Sequence, residues 1–413
     1  MLHRKKKMTS QKFDIVIVGA GLIGSSIAYH LTQKKSKKNI KIALLDLDFE
    51  GTYSASELNA GGARMEWCHD INIELSKSTI EFLASNPSLF GFRQKGYLWL
   101  YDKKGWQTYQ SHVVDFKCQH LEIEELSPKE VSRRFPFIDR TEDIEGATFS
   151  PKDGIFNPNL LKQFFRSQAK EAGVVFIDRA FVKEIMKKGD HSLEIVYDQV
   201  TKEDVFHILS GKEMPTDYPK IKISTQLLVN AAGSWAVKLA KLYGHALDCK
   251  PIRRQISIFD CHELNLSSYG MIVDTSGVYF HAEADHILAG YATPHESSGY
   301  NFKYDGDLFF ETEIWPRLAH RMSKAQALKH RTGWAGLYSV TPDLSGIMGC
   351  VDKTYSIYEA HSFTGRGAMQ SYGVGLSMAE LILDGHYQTI NATSLHPNRF
   401  QDKEKFLYEG LHI

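Results

Sequence analysis

Residues 13–31, FDIVIVGAGLIGSSIAYHL, constrain this chain more than any other stretch. Ile15, Val16, Ile17 and Val18 form a β-branched run that suits a strand buried on both faces of a parallel sheet. A tight glycine turn and a helix follow, and Gly19, Gly21 and Gly24 fill the spacing G-x-G-x-x-G. The first glycine permits the turn, the second lets backbone N–H groups approach a pyrophosphate, and the third lets the helix pack close to the sheet. The phosphate-binding turn is therefore expected to run through Gly19, Ala20, Gly21, Leu22, Ile23 and Gly24. A second strand, IKIALLD, ends at Asp46, 22 residues past Gly24. A carboxylate at that strand end is placed to accept hydrogen bonds from a ribose. A dinucleotide site is expected, with NAD and FAD both open at this point.

Three further segments extend the pattern. TQLLVNAAGSWAVKLAKL (225–242) reads as a late strand returning beside the first, with Ala231 and Gly233 small enough for backbone to lie against the cofactor. NPNLLKQFFRSQAKEAG (157–173) predicts a helix capped by Asn157, with Pro158 at its first position and Gly173 near its end. FTGRGAMQSYGVGLSMAELILDG (363–385) is a glycine-rich turn entering an apolar helix. Val374, Met378, Leu381 and Ile382 put one face of that helix inward, and Gly373 and Gly375 permit close approach.

Composition narrows the partners. The 413 residues carry 49 basic and 49 acidic side chains, so no global charge favours nucleic acid or an anionic surface. A small molecule or a protein is the expected partner. No apolar run approaches the roughly 20 residues of a membrane-spanning helix. Cys68, Cys118, Cys249, Cys261 and Cys350 are odd in number and scattered, which predicts neither a disulfide framework nor a metal site. The basic stretch MLHRKKKM lacks an apolar signal core and reads as a solvated tail, as does KKSKK (34–38) as a solvated turn. A cytoplasmic location is expected, with the mitochondrial matrix as the alternative.

The three glycines with Asp46, then NAGGAR (59–64), VNAAGSWA (229–236), WAGLYSVTPDLSGIMG (334–349) and FTGRGAMQ (363–370), resemble the D-amino-acid oxidase and sarcosine oxidase group of FAD-dependent oxidoreductases. The resemblance keeps its order over nearly the whole chain. FFETEIWPRLAHRM (309–322) and AELILDGHYQTINATSLHPNRF (379–400) look closest to the group's mitochondrial FAD-dependent oxidoreductase domain-containing subfamily, assembly factors of respiratory complex I. The implied fold is α/β: a glutathione-reductase-like FAD-binding Rossmann domain with an antiparallel-sheet α+β substrate domain. The FAD domain would comprise 12–87, 152–245 and 339–395, the cap 88–151 and 246–338, and the C-terminal tail 396–413.

The resemblance also assigns the ends of the cofactor. The first glycine turn takes the pyrophosphate. Gly365, Arg366, Gly367, Ala368, Met369 and Gln370, with the helix after them, would address the pyrimidine edge of the isoalloxazine. A helix N-terminus carries about half a positive charge, and donors there stabilise the reduced ring. Asn59, Ala60, Gly61, Gly62 and Arg64 would form the other wall, with Arg64 over the ring or substrate.

Departures from the group carry as much information. Asn59 stands where dimethylglycine dehydrogenases attach flavin through His, and Gly336 where sarcosine oxidase uses Cys, so FAD is expected to be non-covalent. Tyr338 replaces the carboxylate-binding Arg of glycine oxidase, and Met369 the corresponding Lys of sarcosine oxidase. Leu288 replaces the Lys that aids oxygen activation, which favours a dehydrogenase over an oxidase. Arg253, Arg254, Tyr279, His281 and Tyr291 remain to line a pocket, and strand alternation sends Arg253 and Gln255 to one face and Arg254 to the other. Arg64, Arg254 and Tyr279 are the candidate catalytic residues, while His69 and His361 read as structural. The expected reaction is hydride transfer from a carbon next to nitrogen in an amine-like substrate to flavin N5, with the electron acceptor open. The alternative is a flavoprotein acting through contacts with a respiratory-chain protein.

Overall fold

The computed structural model describes residues 11–34, 40–118, 120–212, 217–294 and 296–411; the basic N-terminal stretch and residues 35–38 lie outside them. The strand Gln11–Val18 pairs in parallel with Ile42–Leu45 on one side and Lys220–Asn230 on the other. Val18 stands opposite both Leu45 and Asn230, so the three strands end together and bring Gly19, Asp46 and Ala231 to one edge. Gly19 turns there with φ +106°, and a Cβ on it would lie 2.3 Å from the Ala231 carbonyl oxygen. A Cβ on Gly24 would lie 1.8 Å from the Gly19 oxygen. The first and third glycines are thus demanded by the fold itself.

The first sheet has eight strands, ordered Ile347–Asp352, Ile357–His361, Lys220–Asn230, Gln11–Val18, Ile42–Leu45 and Val175–Ile177, with the antiparallel pair Ala180–Lys187 and Leu193–Gln199 joined to Lys220–Asn230. On one face lie the helices Leu22–Gln33, Asp70–Ser85 and Gly367–Asp384. Their close approach depends on small residues: a Cβ on Gly375 would meet Ser26 Oγ at 2.1 Å, and one on Gly373 would meet the Leu75 oxygen at 2.9 Å. Val374 and Met378 are buried beneath. The helix Pro158–Glu171 starts as its sequence predicts, with Asn157 accepting from the amides of Asn159 and Leu160.

The second sheet also has eight strands: Lys329–Val340, Lys250–Asp260, His286–Tyr291, Tyr279–Glu283, Met271–Val273, Tyr97–Tyr101, Gly146–Ser150 and Glu124–Leu126. It is antiparallel except where Met271–Val273 meets Tyr97–Tyr101 in parallel. These two strands come from distant segments, so no hairpin dictates their direction. Leu98, Ile272, Phe280 and Ala289 back the sheet with an apolar core. Between the sheets lies the site.

The C-terminal segment does not trail off. Arg399 binds Asp343 through Nε at 2.7 Å and Nη2 at 3.0 Å, and beyond it Glu409 and Leu411 are buried. Among the described residues no helix is long and apolar enough to cross a membrane, and no group of three or more His, Cys, Asp or Glu is placed to hold a metal ion.

Candidate active site

A cavity of about 470 Å³ runs from the glycine turn to the inner face of the second sheet. Its outer end is built by the three parallel strand ends. Gly19, Gly21, Leu22, Ile23, Asp46, Ala231 and Gly233 line it. Gly21 has ordinary backbone angles, and a Cβ there would meet only Ser56 Oγ, at 3.2 Å. The space it leaves open belongs to the cavity rather than to the fold. Ser56, which the sequence reading did not single out, accepts from the Leu22 amide at 3.0 Å. Asp46 accepts from the amides of Ala20 and Asp48. Burial pushes its carboxyl up, and those two N–H groups oppose the rise.

The inner end is aromatic and cationic. Asn59, Ala60, Gly62, Arg64, Gly365, Arg366, Gly367, Ala368 and Met369 all reach it, as do Arg254, Tyr279 and Tyr338. Arg64 does not hang free over the opening. Its guanidinium lies 3.5 Å from the Trp67 ring centroid and 4.4 Å from that of Trp99, and donates to the carbonyls of Glu66 and Leu411. Arg366 caps the helix Gly367–Asp384 and is buried, not a surface residue of its turn. Its Nε, Nη1 and Nη2 have no hydrogen-bond partner. Burial lowers its guanidinium to about 10, Glu409 opposes that fall, and Arg64 adds to it. The charge persists at neutral pH.

Strand alternation separates the two neighbouring arginines. Arg253 turns away and pairs with Glu296 at 3.0 Å and Asp305 at 2.8 Å, while Arg254 faces the cavity with Nε unpartnered, 5.4 Å from the Tyr338 ring centroid. Tyr279 and Tyr338 are neighbours on the cavity wall. Burial pushes both phenols up, and Arg254 opposes the rise, so they act as neutral donors and acceptors.

Several expected residues stand off the wall. Ala20 is held by Asp46, and its carbonyl accepts from Ser25 and Arg166. Gly24 packs on Gly19; Gly61 lies in a turn where a Cβ would be 2.4 Å from the Phe156 oxygen; Gln370 donates to Asn72. These four support the cavity from behind. His281 has its ring nitrogens 2.8 and 2.9 Å from the carbonyls of Ala282 and Ala60, and Tyr291 stacks under Arg317 at 4.1 Å, both away from the cavity. Leu288 is buried in the core and is not part of the wall, whereas Ile256 and Met271 are. His69 starts a helix and contacts the Tyr408 carbonyl. Trp67, Tyr97 and Glu409 were not signalled by any motif, because distant segments bring them together.

The residues present fit a flavin dinucleotide: an open space at Gly21, a carboxylate at the strand end, and an unpartnered buried guanidinium at the far end. Residues 14–381 match the family described as FAD dependent oxidoreductase, DAO. The chain is 28% identical to bovine (Bos taurus) FAD-dependent oxidoreductase domain-containing protein 1, over 98% of this chain and 88% of that protein. It is 23% identical to monomeric sarcosine oxidase of Bacillus sp. (strain NS-129), over 91% of this chain and 94% of the other. Its fold superposes on L-proline dehydrogenase from P. horikoshii with a TM-score of 0.80 at 22% identity, covering 96% and 99% of the two chains.

Proposed function

The chain belongs to the DAO family of FAD-dependent oxidoreductases, and from that premise we propose that it oxidises a C–N bond of a secondary amine or amino-acid-like substrate by hydride transfer to flavin N5. Bound FAD would supply a two-electron acceptor. The turn at Gly21 and the carboxylate of Asp46 would hold its adenosine diphosphate half, and Arg366 its pyrimidine edge.

The observation that carries the reading is the pair of guanidiniums at the inner end: Arg366 is buried with all three nitrogens unpartnered, and half-buried Arg254 has its Nε unpartnered while Nη1 donates to the Arg253 carbonyl. Leaving a buried charged donor unpaired costs about 1–3 kcal/mol or more, which a ligand acceptor offsets. Arg254 would orient an acceptor group of the substrate, a task that Tyr338 and Met369 leave open. Tyr279 and Tyr338 would hold the nitrogen as a free base, since neither phenol ionises. Sarcosine and proline, named in the two relatives, are secondary amines and support this class. Lys183 and Lys238 are the lysines on the wall, on the side of Asp46 and Gly233, so no ammonium faces the inner end among the described residues. That favours an acceptor other than oxygen.

Anaerobic screening of secondary amines for loss of the visible absorbance of oxidised flavin tests the reading. Bleaching by at least one N-alkyl amino acid is expected. A second reading draws on the length-wide likeness to FAD-dependent oxidoreductase domain-containing protein 1: a flavoprotein assisting respiratory complex I through protein contacts. Bound FAD that no amine bleaches would favour it.

A further inference from the structure

At the end of the strand Ile357–His361 a row of buried polar side chains leads away from the cavity. Ser339, His361 and Ser362 are part of the cavity wall. Ser339 Oγ is 2.6 Å from Ser362 Oγ, which is 2.7 Å from His361 Nδ1. His361 Nε2 is 2.7 Å from Glu359 Oε2, and Glu359 Oε1 is 3.2 Å from His245 Nδ1. The side chains of Glu359 and His361 are wholly buried, whereas that of His245 is 27% exposed. The row is therefore continuous from cavity to solvent.

We infer that His245, Glu359, His361, Ser362 and Ser339 form a relay that carries protons between the cavity and the protein surface. The inference rests on the reading of the cavity as the site of FAD-dependent amine oxidation. Oxidising an amine to an imine breaks one C–H and one N–H bond: the carbon's hydride, with both electrons, goes to the flavin, and the nitrogen's proton must leave. Ser339 and Ser362 place hydroxyls on the cavity wall that can take that proton. A hydroxyl accepts it and passes its own to His361 Nδ1, and His361 Nε2 gives its proton to Glu359; the Glu359 carboxyl turns and gives that proton to His245 Nδ1, and His245 returns one from Nε2 to water. Each step moves one proton along one hydrogen bond and no electrons.

Two features distinguish this from ordinary polar packing. Ser362 has φ +59° and Thr364 φ +46°, a backbone that L residues avoid, and Ser362 Oγ is thereby held between His361 and Ser339. Glu359 is kept anionic in a buried position: burial raises its carboxyl, but the neighbouring His361 ring and hydrogen bonds from His245, His361 and Tyr243 outweigh this and leave it below the usual range. A buried ion of this kind adds less stability than apolar side chains of similar volume would. A relay needs it.

The test uses the FAD-loaded protein, photoreduced and then mixed with ferricyanide in weak buffer containing a pH indicator. Two ferricyanides take the flavin's two electrons and a proton is released, so flavin absorbance and indicator follow electrons and protons separately. In the unaltered protein both signals are expected together. In His361→Gln, which keeps hydrogen bonds but cannot shuttle, proton release should lag at least about tenfold and recover with added imidazole. His207→Gln, an exposed histidine outside the row, should not lag. His245→Gln, at the exposed end, should lag as well, and serves alone if the buried variant does not fold. Proton release that keeps pace with flavin oxidation in His361→Gln or His245→Gln overturns the relay. Protein that binds no FAD overturns the functional reading instead, so the two failures are distinct.

Discussion

Arg366 Nη1 lies 3.5 Å from Glu409 Oε2, with both side chains almost wholly buried. The contact is a charge pair without a hydrogen bond, because Glu409 already accepts from the Cys68 amide at 2.7 Å and Asn72 Nδ2 at 3.0 Å. The guanidinium is thus partly neutralised yet keeps all its donors free at the N-terminus of the helix Gly367–Asp384. A ring whose edge gains negative charge on reduction would be stabilised by this arrangement, and the carboxylate would moderate the effect.

Opposite shifts in flavin potential should follow from the two members of the pair. Arg366→Ala should lower the potential and weaken sulfite addition at N5, while FAD content stays near normal. Glu409→Gln should raise the potential, because the opposing charge is gone. About 1 kcal/mol of altered stabilisation corresponds to roughly 20 mV for a two-electron couple, which spectroelectrochemistry resolves. Identical potentials in both variants and the parent would place the ring away from this pair.

The three glycines of the first turn should fail in different ways. Side chains at Gly19 or Gly24 meet backbone at 2.3 and 1.8 Å, so substitution there should prevent folding. Gly21→Val meets only a serine hydroxyl at 3.2 Å and should give a folded protein without flavin. Circular dichroism and the visible spectrum separate the outcomes. A yellow Gly21→Val protein would mean that the pyrophosphate lies elsewhere.

What the sequence revealed was mostly local. The alternation at Arg253 and Arg254, the cap at Asn157 and the strand ending at Asp46 depend on periods and neighbours within one element, and residues carry that information in order. Contacts between distant segments are not written that way. Nothing in residues 396–413 announces that Leu411 would accept from Arg64 or that Glu409 would face Arg366, since a buried return of the chain is decided by packing against Trp67, Cys68 and Asn72. Leu288 shows the same limit: the resemblance places it where relatives carry Lys, but which side chains meet the cavity is decided by packing, and there Ile256 and Met271 form the wall.

Flavin should leave the protein entirely on acid precipitation. Asn59 spends its carbonyl oxygen on the Gly61 amide, and Gly336 has no side chain. Among the described residues the wall holds no cysteine, and its one histidine, His361, has both ring nitrogens engaged. Absorbance of the supernatant should account for all the FAD. Yellow colour in the washed pellet would contradict this.

Acid should weaken the protein through His30. The ring sits in the first helix, buried, with Nε2 unpartnered and ring centroids of Tyr372 and Tyr29 at 4.5 and 4.9 Å. Burial lowers its pKa to about 3, Lys34 adds to the fall, and Glu380 opposes it. Between that value and the ordinary value of about 6.5, the unfolded chain binds a proton that the folded one does not. Stability contributed by neutral His30 is therefore full above about pH 6.5 and lost as pH falls through the window, with a limiting slope of about 1.4 kcal/mol per pH unit. His30→Leu should flatten this slope whatever its effect on absolute stability. Urea unfolding at saturating FAD, compared at about pH 7.5 and 5.5 where most carboxylates stay ionised, measures the difference. Equal slopes in parent and variant would show that His30 takes up its proton in the folded state, with the helix interface opening to admit it.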